Sequence, residues 1–347
     1  MFDTIVVGGG QAGLAMGYYL ARQGRDFLIL DAHARVGDAW RLRWDSLRLF
    51  TPARYDALPG MPFLAAPDAL PTKDQVADYL EAYAARLGLP VRPSVAVDAV
   101  EEEAGRYVLR SGDRRFEAKR VVLATGAFRA PRVPAFSSDL DPCIVQVHSS
   151  RYRNLGQLRD GPVLVVGAGN SGAEIALEAA PRHPTWLSGR DTGRLPGLTG
   201  RITGPLLWWA ASRVLTVDRA LGRWARRRAV GHGGPLVGIG PRALQAAGVR
   251  RVGRTVGSRG GRPVLEDGQV LDVANVVWCT GFGPDFGFVR LPVLGPDGYP
   301  VHDRGVVAGA RGLYVLGLPF QRSLASHSIG GVGADAAYIA EAIAAAR

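Results

Sequence analysis

The sequence has few cysteines and no long apolar run. Cys143 and Cys279 are its two cysteines in 347 residues, and their wide separation excludes a CxxC redox pair and metal-ligand spacing. No stretch of about 18 uninterrupted apolar residues occurs, so we expect no membrane-spanning helix. The first residues lack a basic region followed by an apolar run. We therefore expect no signal peptide and a reducing, cytoplasmic location.

Acidic residues are also scarce relative to basic ones. Lys and Arg number 42 against 31 Asp and Glu, which gives a net charge of +11. Such an excess can indicate a nucleic-acid or anionic-membrane partner. The arginines are scattered, however, with one dense run at 223–228. We therefore expect no nucleic-acid partner, and the best-supported anionic partner is a phosphate-bearing cofactor.

A glycine-rich turn follows the first apolar run. Residues 4–8, TIVVG, have the β-branched pattern of a buried parallel strand. Gly8, Gly10 and Gly13 then form G-x-G-x-x-G. The first glycine allows a tight turn, the second allows the backbone to approach a pyrophosphate, and the third allows close helix–strand packing. A helix over about 12–23 would aim its N-terminal amides at the phosphate.

The elements after this turn complete a nucleotide-binding pattern. Gln11 and Ala12 lie at the helix start, beside the expected phosphate. The next strand, DFLIL, ends in Asp31, where an acid accepts hydrogen bonds from a ribose 2′-OH. Strand, turn, helix, strand and acid together predict a dinucleotide site rather than a glycine turn that binds nothing.

The same pattern recurs in the middle of the chain. The run VLVVG repeats the strand, and a helix over about 170–180 repeats the third element. The cofactor-binding positions predicted here are Gly167, Gly169, Asn170, Ser171 and Gly172.

The second pattern ends differently, because its next strand, TWLSG, has no terminal acid. An acid would repel a 2′-phosphate, whereas an arginine pairs with it in a bidentate manner. We therefore predict NADPH at this turn, with Ser188 and Arg190 as first candidates for the 2′-phosphate and Arg194 after them. The alternative is that Arg190 is a solvated loop charge.

Two nucleotide turns in one chain imply two dinucleotides held together. The N-terminal turn is predicted to bind the ADP moiety of FAD, and the second turn is predicted to bind NADPH. Hydride transfer from nicotinamide to flavin requires the two rings to be held in contact.

With these turns, the chain resembles the two-dinucleotide-binding-domain flavoproteins and, among them, the class B flavin-containing monooxygenases. Small bacterial CzcO-like members and plant YUCCA-type members are the most similar. Besides the turns, the segments that carry the resemblance are 36–52 with Trp40, 70–89, 121–136 with Ala124, Thr125 and Gly126, 276–286 with Thr280 and Gly281, and a C-terminal segment with Gly331 and Asp335.

The resemblance implies an α/β fold with two Rossmann-like dinucleotide-binding domains, the NADPH domain being inserted in the FAD domain. The expected boundaries are 1–155 for the first part of the FAD domain, 156–284 for the NADPH domain and 285–347 for the returning part of the FAD domain. The implied function is an NADPH-using monooxygenase that oxidises a small organic substrate with O₂ through a C4a-(hydro)peroxyflavin. N- or S-oxygenation and oxidative decarboxylation are candidate reactions.

The chain also departs from the family pattern. In the signature F-x-G-x-x-x-H, His148 is present, but Pro142 and Ile144 replace the Phe and Gly. An asparagine that many members place near the flavin is Phe50 or Thr51 here. Two other functions therefore stay open: an NADPH oxidoreductase that passes electrons to ferredoxin, a quinone or another acceptor, and a flavin-based redox sensor.

Two histidines are candidates for catalysis. His148 either orients the nicotinamide linkage or the domain junction, or is a hydrogen-bonded structural residue. His327 precedes the C-terminal helix and is a candidate base. That helix would direct its N-terminal amides at the flavin. No metal site is expected.

Residues 199–234 form a tryptophan- and arginine-rich insertion after Arg190, with one helix expected from about Pro205 to Arg228. The segment is predicted to be a lid over the substrate tunnel or a helix packed on the NADPH domain. Peripheral membrane contact is the alternative, with its apolar face down and its basic end on headgroups. A homodimer is a further partner hypothesis.

Overall fold

Two separate β-sheets organise the chain in the computed structural model, which describes residues 1–195, 197–229 and 234–346. The strands are β1 (Phe2–Val7), β2 (Phe27–Leu30), β3 (Val91–Arg92), β4 (Ala99–Glu103), β5 (Arg106–Ser111), β6 (Arg114–Leu123), β7 (Ala130–Pro131), β8 (Val145–His148), β9 (Val163–Val166), β10 (Thr185–Ser188), β11 (Arg194–Leu195), β12 (Leu236–Val237), β13 (Arg250–Val252), β14 (Thr255–Arg259), β15 (Arg262–Leu265), β16 (Asn275–Trp278), β17 (Phe282–Gly283), β18 (His302–Asp303), β19 (Val306–Val307) and β20 (Leu313–Val315).

The helices are α1 (Gln11–Arg22), α2 (Asp38–Arg41), α3 (Lys73–Arg86), α4 (Asn170–Ala179), α5 (Thr203–Trp209), α6 (Ala220–Ala229), α7 (Pro241–Ala246) and α8 (Ile329–Ala345). Helices α1, α3 and α8 pack in one core cluster with strands of the first sheet, and α4 and α7 pack in another with strands of the second sheet. The helices predicted to follow the two glycine turns are therefore present as α1 and α4, with their ends within about one residue of the expected positions.

The first sheet is built from both ends of the chain. Its central order is β18-β19-β20-β6-β1-β2-β3, and the β4–β5 hairpin pairs onto β6. β1 runs parallel to β2 and β6, and β20, from the C-terminal region, runs parallel to β6. The C-terminal part of the chain thus completes the sheet that the N-terminal part begins.

The second sheet is made from the intervening chain. Its strands are all parallel, in the order β13-β10-β9-β16-β8. The predicted α/β class, with one dinucleotide-binding domain inserted in another, is confirmed. Strand β8 belongs to this second sheet, so the sheet begins upstream of the predicted boundary at residue 155.

Both sheets are buried on two faces, which explains their continuous apolar strands. In β9, Val163 and Val165 pack in one cluster, whereas Leu164 and Val166 pack in another. In β1, Val6 joins the cluster of α1, α3 and α8. A parallel sheet with helices on both sides requires this pattern, and its carboxyl edge is the usual ligand site.

Candidate functional site

The first glycine turn connects β1 to α1 and uses its three glycines differently. Gly8 has φ +113°, and a Cβ there would overlap the carbonyl oxygen of Ala124. A Cβ at Gly13 would overlap the carbonyl oxygen of Gly8. At Gly10, by contrast, a Cβ would meet no atom within 4 Å. Gly8 and Gly13 are thus needed for packing, while Gly10 faces open space at the N-terminus of α1.

Asp31 lies at the end of β2, where its carboxylate holds the turn. One oxygen accepts from the Gly9 amide, and the other accepts from the His33 amide at 2.7 Å and approaches His33 Nδ1 at 2.9 Å. Burial raises the pKa of Asp31, but the hydrogen bonds from His33 and Gly9 outweigh burial and hold the pKa below its usual value. The ionised carboxylate retains acceptor capacity for one further donor, such as a ribose hydroxyl.

The second turn repeats the geometry of the first. Gly167 has φ +110°, and a Cβ there would overlap the carbonyl oxygen of Cys279. A Cβ at Gly172 would overlap the carbonyl oxygen of Gly167, whereas one at Gly169 would meet nothing within 4 Å. The repeat predicted from the sequence therefore has a structural counterpart, with Gly169 in the place of Gly10.

Two other residues predicted at this turn have distinct environments. The Asn170 side-chain amide donates to the Pro235 carbonyl at 3.1 Å, and its oxygen accepts from the Val237 amide at 2.9 Å. Ser171 is half-buried in the first turn of α4. Asn170 thus anchors β12, and the backbone of this turn is the part that faces open space.

The residues at the end of β10 differ in whether their polar groups are free to bind a 2′-phosphate. The Ser188 hydroxyl is buried, donates to the Gly253 carbonyl at 2.8 Å and accepts from the Thr255 amide at 2.9 Å. It is therefore already engaged within the protein. Arg190 is exposed, and the exposed Arg251 of β13 donates to the Gly189 carbonyl at 3.2 Å. The structure thus places two guanidinium groups at this turn.

The strand-end turns of the two sheets meet at one junction. β7 and β17, which follow these turns, pair in an antiparallel ladder. The Arg132 amide donates to the Gly281 carbonyl at 2.9 Å, and the Thr280 hydroxyl donates to the Arg132 carbonyl. Gly126 and Gly281 both have left-handed φ values, +76° and +80°. The Thr125 hydroxyl is buried beside them without a partner.

His148 fastens the end of β8 to this junction. Its Nε2 donates to the Gly281 carbonyl at 3.2 Å, and its Nδ1 accepts from the Ser150 amide at 3.1 Å. Burial lowers the pKa of His148, which favours the neutral ring that this pattern requires. Both ring nitrogens are engaged, so the geometry favours the structural alternative over proton transfer.

Three distant segments meet around Gln11, the first residue of α1. Trp40 Nε1 donates to Gln11 Oε1 at 3.3 Å, and Gln11 Nε2 donates to the His327 carbonyl at 3.4 Å. Ala12 lies close to Gly317, where a Cβ would come within 2.9 Å of the Ala12 Cβ. The segment after Asp31 and the C-terminal loop thus both reach the N-terminus of α1, as the resemblance implies.

The start of α8 is tightly built. The Ser328 hydroxyl accepts from the Gly331 amide at 3.2 Å and caps the helix, and a Cβ at Gly331 would overlap the Ala325 carbonyl. One Asp335 oxygen accepts from Arg322 Nε at 2.7 Å, while burial raises the pKa of this carboxyl. Asp335 thus ties the C-terminal loop to α8.

Several buried polar atoms have no hydrogen-bond partner within the described part of the protein, and three of them belong to the C-terminal loop or to α8. Among the described residues they include Tyr55 Oη, Asp56 Oδ2, Thr125 Oγ1, Ser323 Oγ, His327 Nδ1 and Asp335 Oδ2. Buried polar atoms normally have hydrogen-bond partners, so these atoms are free to bond a polar ligand or bound water. A dinucleotide whose ring system carries donors and acceptors fits these atoms together with the open turn at Gly10.

Two acids with raised pKa values, the buried Asp56 and the half-buried Glu174, escaped the sequence analysis. Asp56 accepts from the Thr51 hydroxyl at 2.7 Å, and burial raises its pKa to about 7. Glu174 lies on α4 near Cys279, and burial raises its pKa to about 7 as well. No local pattern marks either acid, because their burial arises from segments distant in sequence.

The insertion after Arg190 packs mainly against the first domain. The Trp208 ring stacks on Tyr55 with a centroid distance of 5.0 Å and an interplanar angle of 19°. The expected single helix is wrong: α5 continues as a π-helix over Ala210–Val214, and α6 starts only at Ala220. Backbone hydrogen bonds from Val217 to Arg322 and from Leu324 to Leu215 break the helix here. Residues 230–233 of the predicted segment lie outside the described part.

Comparison with known proteins agrees with this geometry. Residues 5–184, about half of the chain, match the family described as pyridine nucleotide-disulphide oxidoreductase. The chain belongs to this family. An uncharacterized oxidoreductase described as CzcO-like, from Geobacillus kaustophilus, is 39% identical over 343 residues, which is 97% of each chain. The indole-3-pyruvate monooxygenase YUCCA1 of Oryza sativa is 36% identical over 184 residues, 52% of this chain and 45% of that protein.

A solved structure extends the comparison to the whole fold. The flavin-containing monooxygenase from Stenotrophomonas maltophilia matches with a TM-score of 0.81 and 27% identity, over 99% of this chain and 98% of that chain. The resemblance drawn from the sequence motifs is confirmed, and this family member is an oxidoreductase, as predicted. No described helix has the length and apolar character needed to cross a bilayer. No group of three or more metal-ligating side chains lies together among the described residues.

Proposed function

We propose that the protein is an FAD-dependent monooxygenase that uses NADPH and O₂ to oxidise a small organic molecule. The observation that carries this proposal is the common junction of the two glycine turns. Each turn presents an open backbone position, Gly10 or Gly169. The strand-end turns of the two sheets lead into β7 and β17, which pair with each other. Two dinucleotides bound at these turns would meet near the junction, as hydride transfer requires.

The first turn supplies the FAD site in this proposal. Gly10 leaves room for the pyrophosphate, Gly8 and Gly13 allow the close packing of the turn, and the amides at the start of α1 stabilise the pyrophosphate charge. Asp31 offers its remaining acceptor site to the ribose, while Gln11 positions Trp40 and the C-terminal loop. Gly331 and Asp335 maintain the start of α8, whose dipole stabilises negative charge on the flavin.

The second turn supplies the NADPH site. Gly169 leaves room for the pyrophosphate, and Gly167 and Gly172 allow close packing, as their counterparts do in the first turn. Arg190 and Arg251 pair with the 2′-phosphate, since a doubly charged phosphate favours guanidinium groups. We retain the three-part division of the chain, with the NADPH domain starting at β8.

The reaction itself belongs to the cofactor. A bound and reduced flavin would supply the oxygenating power, and the chain would supply orientation, exclusion of water and fixed dipoles. The relatives named indole-3-pyruvate monooxygenase support an oxygenase. N- or S-oxygenation and oxidative decarboxylation are the candidate reactions.

The two cysteines do not support a dithiol mechanism. Both are free; Cys143 is exposed in a loop, and Cys279 is at the end of β16, where burial raises its thiol pKa to about 12. A thiol used in disulfide exchange instead has a lowered pKa and a neighbouring partner. The cytoplasmic location and the homodimer remain predictions.

Rapid mixing of the NADPH-reduced protein with O₂ tests the proposal, with the flavin spectrum recorded over time. A transient oxygen adduct before reoxidation is the expected result. If the flavin reoxidises directly and ferredoxin or a quinone accelerates this step, the protein is a reductase and not an oxygenase. Reduction in a single turnover, with no reoxidation by O₂ or these acceptors, would instead indicate a redox sensor.

A further inference from the structure

Helix α5 is apolar on both sides. Its inner side carries the buried Gly204 and Trp208, which stacks on Tyr55. Its outer side carries Ile202 at the helix start, Leu206 and Trp209, with 84%, 61% and 55% of their surfaces exposed. Spacings of four and three residues place these three side chains on one helical face. A helix that is apolar all round is normally covered on both sides.

Helix α6 extends the same segment with a basic surface. Gly222 is buried, and a Cβ there would overlap the Thr216 backbone. Leu221, by contrast, is 53% exposed. Arg226 and Arg227 are exposed as well. α6 thus turns a glycine inward and presents leucine and arginine to the outside.

The segment has a strong positive charge. Residues 199–234 contain seven arginines and a single acid, Asp218. Asp218 pairs with Arg304 outside the segment, so its charge is already compensated. The arginines at 201, 213, 219, 223, 226 and 227 are exposed. A segment that exposes both an apolar helix face and six arginines is matched by a partner that is both apolar and anionic.

A second copy of this chain does not meet that requirement. In a two-fold symmetric dimer each surface patch packs against itself. The arginines of both copies would then be brought together with no free acid of the segment to pair with them, since Asp218 is already paired with Arg304. That repulsion costs energy that an apolar stripe of three side chains must offset. A bilayer surface, by contrast, offers hydrocarbon below and phosphate above, and tryptophan prefers that boundary.

We propose that the outer faces of α5 and α6 bind the surface of an anionic lipid bilayer. Ile202, Leu206 and Trp209 enter the headgroup region, and the α6 arginines contact lipid phosphates. The inner face of α5 stacks on Tyr55, and the segment after α5 pairs its backbone with Arg322 and Leu324, so the docked segment connects the bilayer with the C-terminal loop region. This inference does not depend on the oxygenase proposal, because it rests on surface exposure and charge alone.

Co-sedimentation of the FAD-loaded, full-length protein with lipid vesicles tests the inference. Binding to vesicles that contain phosphatidylglycerol should exceed binding to pure phosphatidylcholine vesicles by at least about tenfold and should fall at high salt. The double change Leu206→Gln and Trp209→Gln should abolish it. Leu64→Gln, at an 83% exposed leucine elsewhere, is the matched control and should bind as the unchanged protein does.

Arginine variants separate charge from apolar insertion. Arg226→Gln and Arg227→Gln should each weaken binding about fivefold, since a basic residue near an anionic membrane contributes about 1 kcal/mol. Equal binding to both kinds of vesicle, or no effect of the double change at 206 and 209, would overturn the inference. A dimer in light scattering that the same double change dissociates would also overturn it, in favour of a self-interface. FAD content and thermal unfolding confirm that each variant is folded.

Discussion

Replacing Gly10 by valine should eject FAD without unfolding the protein. Gly10 has φ −77° and ψ −171°, an extended conformation that a residue with a side chain adopts freely. A Cβ there meets no protein atom within 4 Å. The substitution therefore adds no clash and no backbone strain. Loss of a glycine restricts the unfolded chain, so stability without FAD should be unchanged or higher by up to about 1 kcal/mol.

The effect on FAD binding is much larger, because valine would occupy the place expected for the pyrophosphate. If two amide–phosphate hydrogen bonds are lost, at about 1.5–3 kcal/mol for each bond to a charged group, binding weakens by about 3–6 kcal/mol. Since about 1.4 kcal/mol is tenfold, FAD affinity should fall by at least about 100-fold. The variant should purify without its yellow colour.

Gly169→Val is the matched control, since Gly169 caps α4 with φ −78° and ψ −172°. It should retain FAD but lose NADPH-driven flavin reduction, while dithionite still reduces the flavin. For both variants we would measure FAD content by absorbance, NADPH binding by calorimetry and stability by unfolding curves. Together these measurements test which turn binds which cofactor. A Gly10→Val protein that keeps its FAD, or a Gly169→Val protein that loses it, would refute the assignment of the two turns.

Three further predictions concern single side chains. Arg251→Ala should raise the KM for NADPH at least about tenfold and leave the KM for NADH nearly unchanged, since only NADPH carries the 2′-phosphate. Equal effects on both KM values in steady-state kinetics would show that Arg251 does not bind the 2′-phosphate. Ser188→Ala should lower the free energy of urea unfolding by about 1–2 kcal/mol without changing the KM for NADPH, because the Ser188 hydroxyl makes its hydrogen bonds inside the protein. A raised KM for NADPH with unchanged stability would instead show that Ser188 binds the 2′-phosphate. Burial raises the pKa of Asp56 from 3.8 to about 7. Its contribution to the free energy of unfolding is therefore complete below pH 3.8 and is lost progressively as pH rises from 3.8 through 7. At pH 8 the loss is about 4 kcal/mol, and Asp56→Asn should flatten the pH dependence of urea unfolding.

The glycine turns were predictable from sequence because their requirements are local. Positive φ at Gly8 and Gly167, and the close helix–strand approach at Gly13 and Gly172, depend on residues within a few positions. The buried β-branched strands before them are equally local. The order of the elements therefore already indicated two nucleotide domains, and the return of the C-terminal part to the first sheet followed from family resemblance.

Other features depend on which strands become neighbours. β13 lies beside β10, which brings Arg251 to Gly189 and engages the Ser188 hydroxyl with Gly253 and Thr255. Hydrophobic periodicity marks such strands but does not specify the partner of an individual hydroxyl or guanidinium group.

In the insertion after Arg190, too, the sequence does not specify the contacts of individual side chains. Its sequence alone determined a tryptophan-rich and arginine-rich segment with helical spacing. Only the tertiary structure decided that Trp208 packs inward on Tyr55, that Trp209 points outward, and that backbone pairing with residues 322–324 splits the helix. The physical reason is that local sequence determines backbone preference and polarity, whereas burial and hydrogen-bond partners depend on segments that are distant in sequence and adjacent in space.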